Sequence, residues 1–87
     1  MADKKVKYLY DEMKDGIYAR AWREGRGRNS EIIVHVWWKP KPEGEPDGDW
    51  GMPGMLPVSA AVDQAILNTR GDMEAKAAEA LSKLKKA

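Results

Sequence analysis

The sequence predicts an α+β domain: a three-stranded antiparallel β-meander followed by one or two C-terminal helices. Three observations carry this. Residues 17–23 alternate in character, as a half-buried strand does. Residues 32–36 concentrate β-branched side chains, which favour strands. Residues 59–86 space their apolar side chains at the helical period. The chain has 87 residues, a length that suits a single domain spanning 1–87.

The first strand is placed within residues 5–12, where Val6, Tyr8 and Tyr10 alternate. The same stretch also fits a helical stripe through Val6, Leu9, Tyr10 and Met13, so an N-terminal helix before a β-hairpin is the alternative architecture. The following Lys14-Asp15-Gly16 favours the strand, because it makes a three-residue hairpin turn with glycine at the left-handed position. In the second strand Ile17, Ala19 and Ala21 share one face, and Tyr18, Arg20 and Trp22 the other. A polar, glycine-rich connection, residues 24–30, leads to the third strand, Glu31 to Lys39. Pro40 and Pro42 end that strand, since proline removes a ladder donor.

Residues 40–58 form a long connection rich in Pro, Gly and acidic residues. Its second half is apolar, with Trp50, Met52, Met55 and Leu56. Ser59 is placed as the helix N-cap. Ala61, Val62, Ala65 and Ile66 make the first helical stripe. Gly71 marks a turn or kink, after which Asp72 caps a second helix whose buried face is Met73, Ala77, Ala80, Leu81 and Leu84.

Composition narrows the function classes. Fifteen Lys and Arg face fourteen Asp and Glu, for a formal charge of +1, which excludes a strongly basic nucleic-acid coat. The charge is nonetheless segregated: residues 1–30 sum to +3, residues 31–69 to −4 and residues 70–87 to +2. There is no Cys and one His, which excludes disulfide frameworks, Cys-based zinc sites and multi-His metal sites. No apolar run approaches a membrane span, and the opening MADKKVKYLYDE lacks the apolar stretch of a secretory leader. The expected location is cytoplasmic, with no membrane partner and no cofactor.

Catalytic signatures are absent. His35 lies between Val34 and Val36 in a strand, and no serine or carboxylate spacing suggests a nucleophilic triad. The acidic run Glu43, Glu45, Asp47 and Asp49 resembles a calcium loop only loosely. Counted from Glu45, Trp50 stands where an EF-hand needs glycine and Leu56 where it needs glutamate. A helix-turn-helix around Gly71 fails for want of a three- to four-residue turn.

What remains is binding. If Ile32, Val34, Val36 and Trp38 point inward, then Ile33, His35 and Trp37 join Tyr18, Arg20 and Trp22 on the other sheet face. Flat aromatics can stack on bases and guanidinium groups can hold phosphates. Arg23, Arg26 and Arg28 would extend such a contact along the adjoining loop. The expected function is therefore a non-enzymatic module that binds nucleic acid or a nucleoprotein complex through Tyr18, Arg20, Trp22, Arg23, Arg26, Arg28, His35 and Trp37. The strand order and Arg/Trp content resemble arm-type DNA-binding domains of phage integrases and similar plant transcription-factor domains, with no family motif shared.

The alternative is a small regulatory or inhibitor protein of phage or mobile-element type. It would grip a partner protein with Trp50, Met52, Met55 and Leu56, while the acidic loop steers a basic partner. A third reading is a homodimer that pairs through the third strand or the Ala-rich helix.

Overall fold

The computed structural model describes residues 7–25 and 27–86. The class is α+β, and the sheet has four strands rather than three: β1 (Tyr10–Lys14), β2 (Ile17–Glu24), β3 (Glu31–Trp37) and β4 (Gly48–Pro53). They run antiparallel in sequence order, and one helix, α1 (Val58–Lys86), follows. A short 3-10 turn at Gly27–Asn29 joins β2 to β3.

The first hairpin is tighter than the sequence suggests. Lys14 belongs to β1 and pairs with Ile17. The turn is the two residues Asp15 and Gly16, both at positive φ (55° and 79°). That Asp-Gly geometry matches the right-handed twist of the flanking strands. Of the segment proposed as the first strand, residues 5 and 6 lie outside the described residues, and the strand itself runs later, through Lys14.

The largest correction concerns residues 40–58. Residues 38–47 form one connection and residues 54–57 a second, shorter one before the helix. Residues 48–53 are a sheet edge, with Val34 opposite Trp50 and Ile32 opposite Met52. The apolar half of the presumed loop, Met55 excepted, is thus core material. Met52 is buried, and Trp50 and Leu56 pack against the core.

One face of the sheet carries the core. Ala19 and Ala21 from β2, Ile32, Val34 and Val36 from β3, and Met52 from β4 meet Ala61, Val62 and Ala65 of the helix. Small side chains on both surfaces let the helix approach closely. The approach is closest at β4, where a Cβ on Gly48 would overlap the Thr69 hydroxyl. Thr69 is fully buried. It donates to the Ala65 carbonyl at 2.9 Å and accepts from the Trp50 indole at 2.8 Å, so no polar atom of the pair is stranded.

The helix departs from expectation at both ends. The Pro57 carbonyl accepts the Ala61 N–H, so Ser59 lies within the first turn and is not the cap. At Gly71 there is neither turn nor second cap. The glycine keeps helical φ and faces open space. Its cost of about 1 kcal/mol is carried by the docked turns before it and the good helix formers after it.

The result is a helix of 29 residues, about 43 Å long at 1.5 Å per residue. The longest strand has eight residues and spans about 27 Å. The helix therefore overhangs. Residues 70–84 are exposed apart from half-buried Met73. Of the predicted buried face, Ala77, Ala80, Leu81 and Leu84 are exposed and Met73 alone is half-buried, because the sheet ends before them. No helix among the described residues is long and apolar enough to cross a membrane.

Two glycine substitutions separate the helix–sheet contact from the overhang. Gly48→Ala is expected to lower unfolding free energy by about 1–3 kcal/mol through overpacking against Thr69. Gly71→Ala is expected to raise it by up to about 1 kcal/mol, because the site is helical and open. Denaturant titration monitored by circular dichroism measures both; a neutral Gly48→Ala would refute the tight contact.

Candidate functional site: the uncovered sheet face

The face opposite the helix follows from strand alternation. It holds Asp11 and Met13 from β1, and Tyr18, Arg20, Trp22 and Glu24 from β2. β3 contributes Glu31, Ile33, His35 and Trp37, and β4 contributes Asp49 and Gly51. No second layer of described residues covers it.

The aromatic rings do not lie flat and parallel. They meet edge to face in a row. Tyr8 contacts Trp22 at 6.0 Å between centroids, Trp22 contacts His35 at 4.7 Å, His35 contacts Trp37 at 5.9 Å, and Trp37 contacts Tyr18 at 6.3 Å. Interplanar angles of 74–83° suit the ring quadrupoles. The row ends in a seal. Trp37 is only 5% exposed, and its indole donates to the Gly44 carbonyl at 3.1 Å. The 38–47 connection folds back over it, held by Asp47, which accepts the Trp38 N–H at 2.7 Å. Trp37 is thus the floor of the face and is not free to stack on a ligand.

The polar groups are largely matched within the face. Arg20 Nε donates to Asp11 Oδ1 at 3.0 Å, and the Tyr18 hydroxyl donates to the same oxygen. The guanidinium lies 5.0 Å from the Tyr8 ring centroid and 5.8 Å from that of Trp37, within cation–π range. The hydrogen bond from Tyr18 holds the Asp11 carboxyl below its ordinary value, with Arg20 adding to the effect. The same bond pushes the Tyr18 phenol above its ordinary value. His35 Nε2 sits 3.3 Å from Asp49 Oδ1, and the Trp22 indole donates to Glu24 at 2.8 Å.

The face carries more acidic than basic groups. Asp11, Glu24, Glu31 and Asp49 are four carboxylates on a face with one guanidinium, that of Arg20. Sequence reasoning found the aromatic side chains and missed these acids: Glu24 and Glu31 continue the same alternation, whereas Asp11 and Asp49 join the face only through strand pairing.

The other proposed residues are dispersed. Arg23 lies at the far end of β2 and donates to the Gly54 carbonyl at 2.7 Å. Arg26 lies outside the described residues, as does the side chain of Arg28. Of the proposed gripping loop, Met52 is buried, Trp50 is bonded to Thr69 and Leu56 packs on the core. Only Met55, 90% exposed, stands free. Among the described residues no three metal-ligating side chains gather as a metal site requires.

The Asp11 cluster has a measurable signature. Asp11→Asn is expected to return the Tyr18 phenol toward its ordinary value of about 10, seen as an earlier alkaline rise in tyrosinate absorbance. The folded-state carboxyl of Asp11 lies below its unfolded value. Its stabilising contribution is therefore present at neutral pH and lost as pH falls through the folded value. The acid side of the stability profile should be flatter in Asp11→Asn; an unchanged profile and absorbance would sink the assignment. No family model, curated protein or solved structure matches this chain.

Proposed function

We propose that the chain is a small non-enzymatic binding module that docks a partner protein on its uncovered sheet face. One observation carries the proposal. The face combines part-exposed aromatic rings with a surplus of carboxylates, and that pairing suits a polypeptide bearing Lys or Arg beside apolar side chains. A nucleic acid would bring phosphates toward Asp11, Glu24, Glu31 and Asp49, a repulsion that Arg20, already bonded to Asp11, does not offset.

The contact is anchored by Trp22 and Tyr18 at the centre of the face and by exposed Tyr8 at its edge. His35 and Trp37, beside them on β3, meet Trp22 and Tyr18 edge to face and set their angles. Asp49, with its side chain 66% exposed, and Glu24 supply the acidic rim. The nucleic-acid reading keeps one support, the sequence cluster Arg23, Arg26 and Arg28, of which Arg23 bonds to the Gly54 carbonyl.

Tryptophan fluorescence titrations separate the two. An Arg/Lys-rich peptide carrying aromatic residues is the probe for the protein reading. Single-stranded DNA, duplex DNA and RNA are the probes for the other. Peptide binding is expected, weakening with salt, and reduced about tenfold or more in Trp22→Ala, the loss typical of an aromatic anchor. A salt-dependent response to nucleic acid, with none to peptide, would overturn the proposal in favour of the nucleic-acid reading.

A further inference from the structure

The side of the fold away from the aromatic face is left unfinished. A helix is about 10 Å across, while four strands spaced by about 4.8 Å make a wider sheet. The helix lies mainly over β3 and β4, with fewer contacts to β1. Beside it, toward the first hairpin, runs an open groove of about 320 Å³ lined by Lys14, Asp15, Ile17, Asp63, Ile66 and Leu67. Leu67 is 58% exposed there. The same chain has the opposite problem at the other end of its helix, where Leu81 and Leu84 are 60% and 72% exposed on a segment that covers nothing. An isolated helix needs no such leucines.

We infer that two copies of the chain pair through α1, antiparallel, so that each overhanging helix end fills the groove of the other. The sequence of the helix is self-complementary for this arrangement. Ile66, Arg70, Met73, Ala77, Ala80 and Leu84 repeat at alternating steps of four and three, which is the seam of a helix pair. Turned about a two-fold axis near residue 75, the seam sets Ile66 against Leu84, Arg70 against Ala80 and Met73 against Ala77. Every large side chain except those of the outer Ile–Leu pair meets an alanine, which lets the helices approach closely. Beside the seam Leu67 falls against Leu81, so the exposed leucines cover one another.

Charge agrees with this direction. Glu12, Asp15 and Asp63 outnumber Lys14 around the groove, and both Glu12 and Asp63 lie near enough to raise the Tyr10 hydroxyl's pKa, after burial. The incoming helix end carries Lys83, exposed beside Glu79 of its own helix, and two further lysines follow in the sequence. Near the axis Arg70 lies 3.8 Å from Glu74 of its own helix. The long Arg70 stem can then cross the partner's Ala80 with its charge still matched. A second copy is favoured over a foreign helix because the groove, the leucines and the spacing that joins them all occur on one chain. The pairing leaves the aromatic face of each copy open, and it stands or falls independently of what that face binds.

Light scattering on the full chain is expected to give twice the 9.8 kDa chain mass, and Leu84→Glu is expected to halve it with the helical circular-dichroism signal of the folded monomer kept. A wild-type monomer at about 0.5 mM, where even millimolar affinity leaves a detectable dimer, would overturn the inference. So would a Leu84→Glu protein that stays dimeric. Orientation is read from cysteine variants of this Cys-free chain, treated with a short bis-maleimide. Residues 67 and 81 lie about 21 Å apart along one helix. An equal mixture of the Leu67→Cys and Leu81→Cys proteins should therefore cross-link, and neither alone should. Cross-linking of either variant by itself, or of no combination, would refute antiparallel pairing.

Discussion

The contact that organises this fold is the close approach of α1 to β4, fixed where Gly48, Trp50 and Thr69 converge. It works only if three conditions hold together. Gly48 must lack a side chain, Thr69 must turn its hydroxyl toward the sheet, and Trp50 must reach that hydroxyl with its indole. Alanines at 19, 21, 61 and 65 continue the close packing across the sheet. A single helix about 10 Å across cannot span four strands, so it lies mainly over β3 and β4 and leaves the β1 side open. The groove beside Ile17 and the overhang beyond Thr69 are both consequences of that single docking point.

The small residues on one face have a counterpart in the large ones on the other. With Ala19 and Ala21 in the core, the bulk of β2 resides in Tyr18 and Trp22, on the opposite side. Those rings stabilise the sheet as cross-strand pairs, and they remain partly exposed. Rigidity comes from below: Trp37 is sealed by the Gly44 carbonyl, and Arg20 is held by Asp11 and bracketed by Tyr8, Tyr18 and Trp37. Side chains fixed before a partner arrives lose less rotamer entropy on binding. That is the main physical reason to regard this layer as a docking surface as well as a sheet stabiliser.

The legible parts of the sequence are those whose pattern is local. Alternation in 17–23 and the β-branched run in 32–36 identify β2 and β3 and assign their faces. β4 is hidden because Gly48, Gly51 and Pro53 give it poor strand propensity; it is a strand because Ile32 and Val34 need Met52 and Trp50 beside them. The continuity of α1 through Gly71 was equally illegible, since a glycine that costs about 1 kcal/mol is outvoted by a helix already nucleated on the sheet. For the site, the aromatic residues could be named from periodicity. Their neutralising acids could not, because Asp11 meets Arg20, and Asp49 meets His35, only through pairing across strands.

The two unsatisfied surfaces differ in kind, and the difference assigns them different work. The overhanging helix is apolar at one spacing and carries no aromatic ring, so it has shape and little chemical discrimination. Such a surface suits a partner whose geometry is fixed by symmetry, because a two-fold axis supplies the register that the side chains do not. The aromatic face is the reverse: it is short, rigid and rich in directional groups, which suits selection among partners. Placing the two on opposite sides of the sheet keeps one from blocking the other. A symmetric pair would then display two aromatic faces held at a fixed separation, and a target bearing two matching segments would be held more tightly than either face alone could hold it.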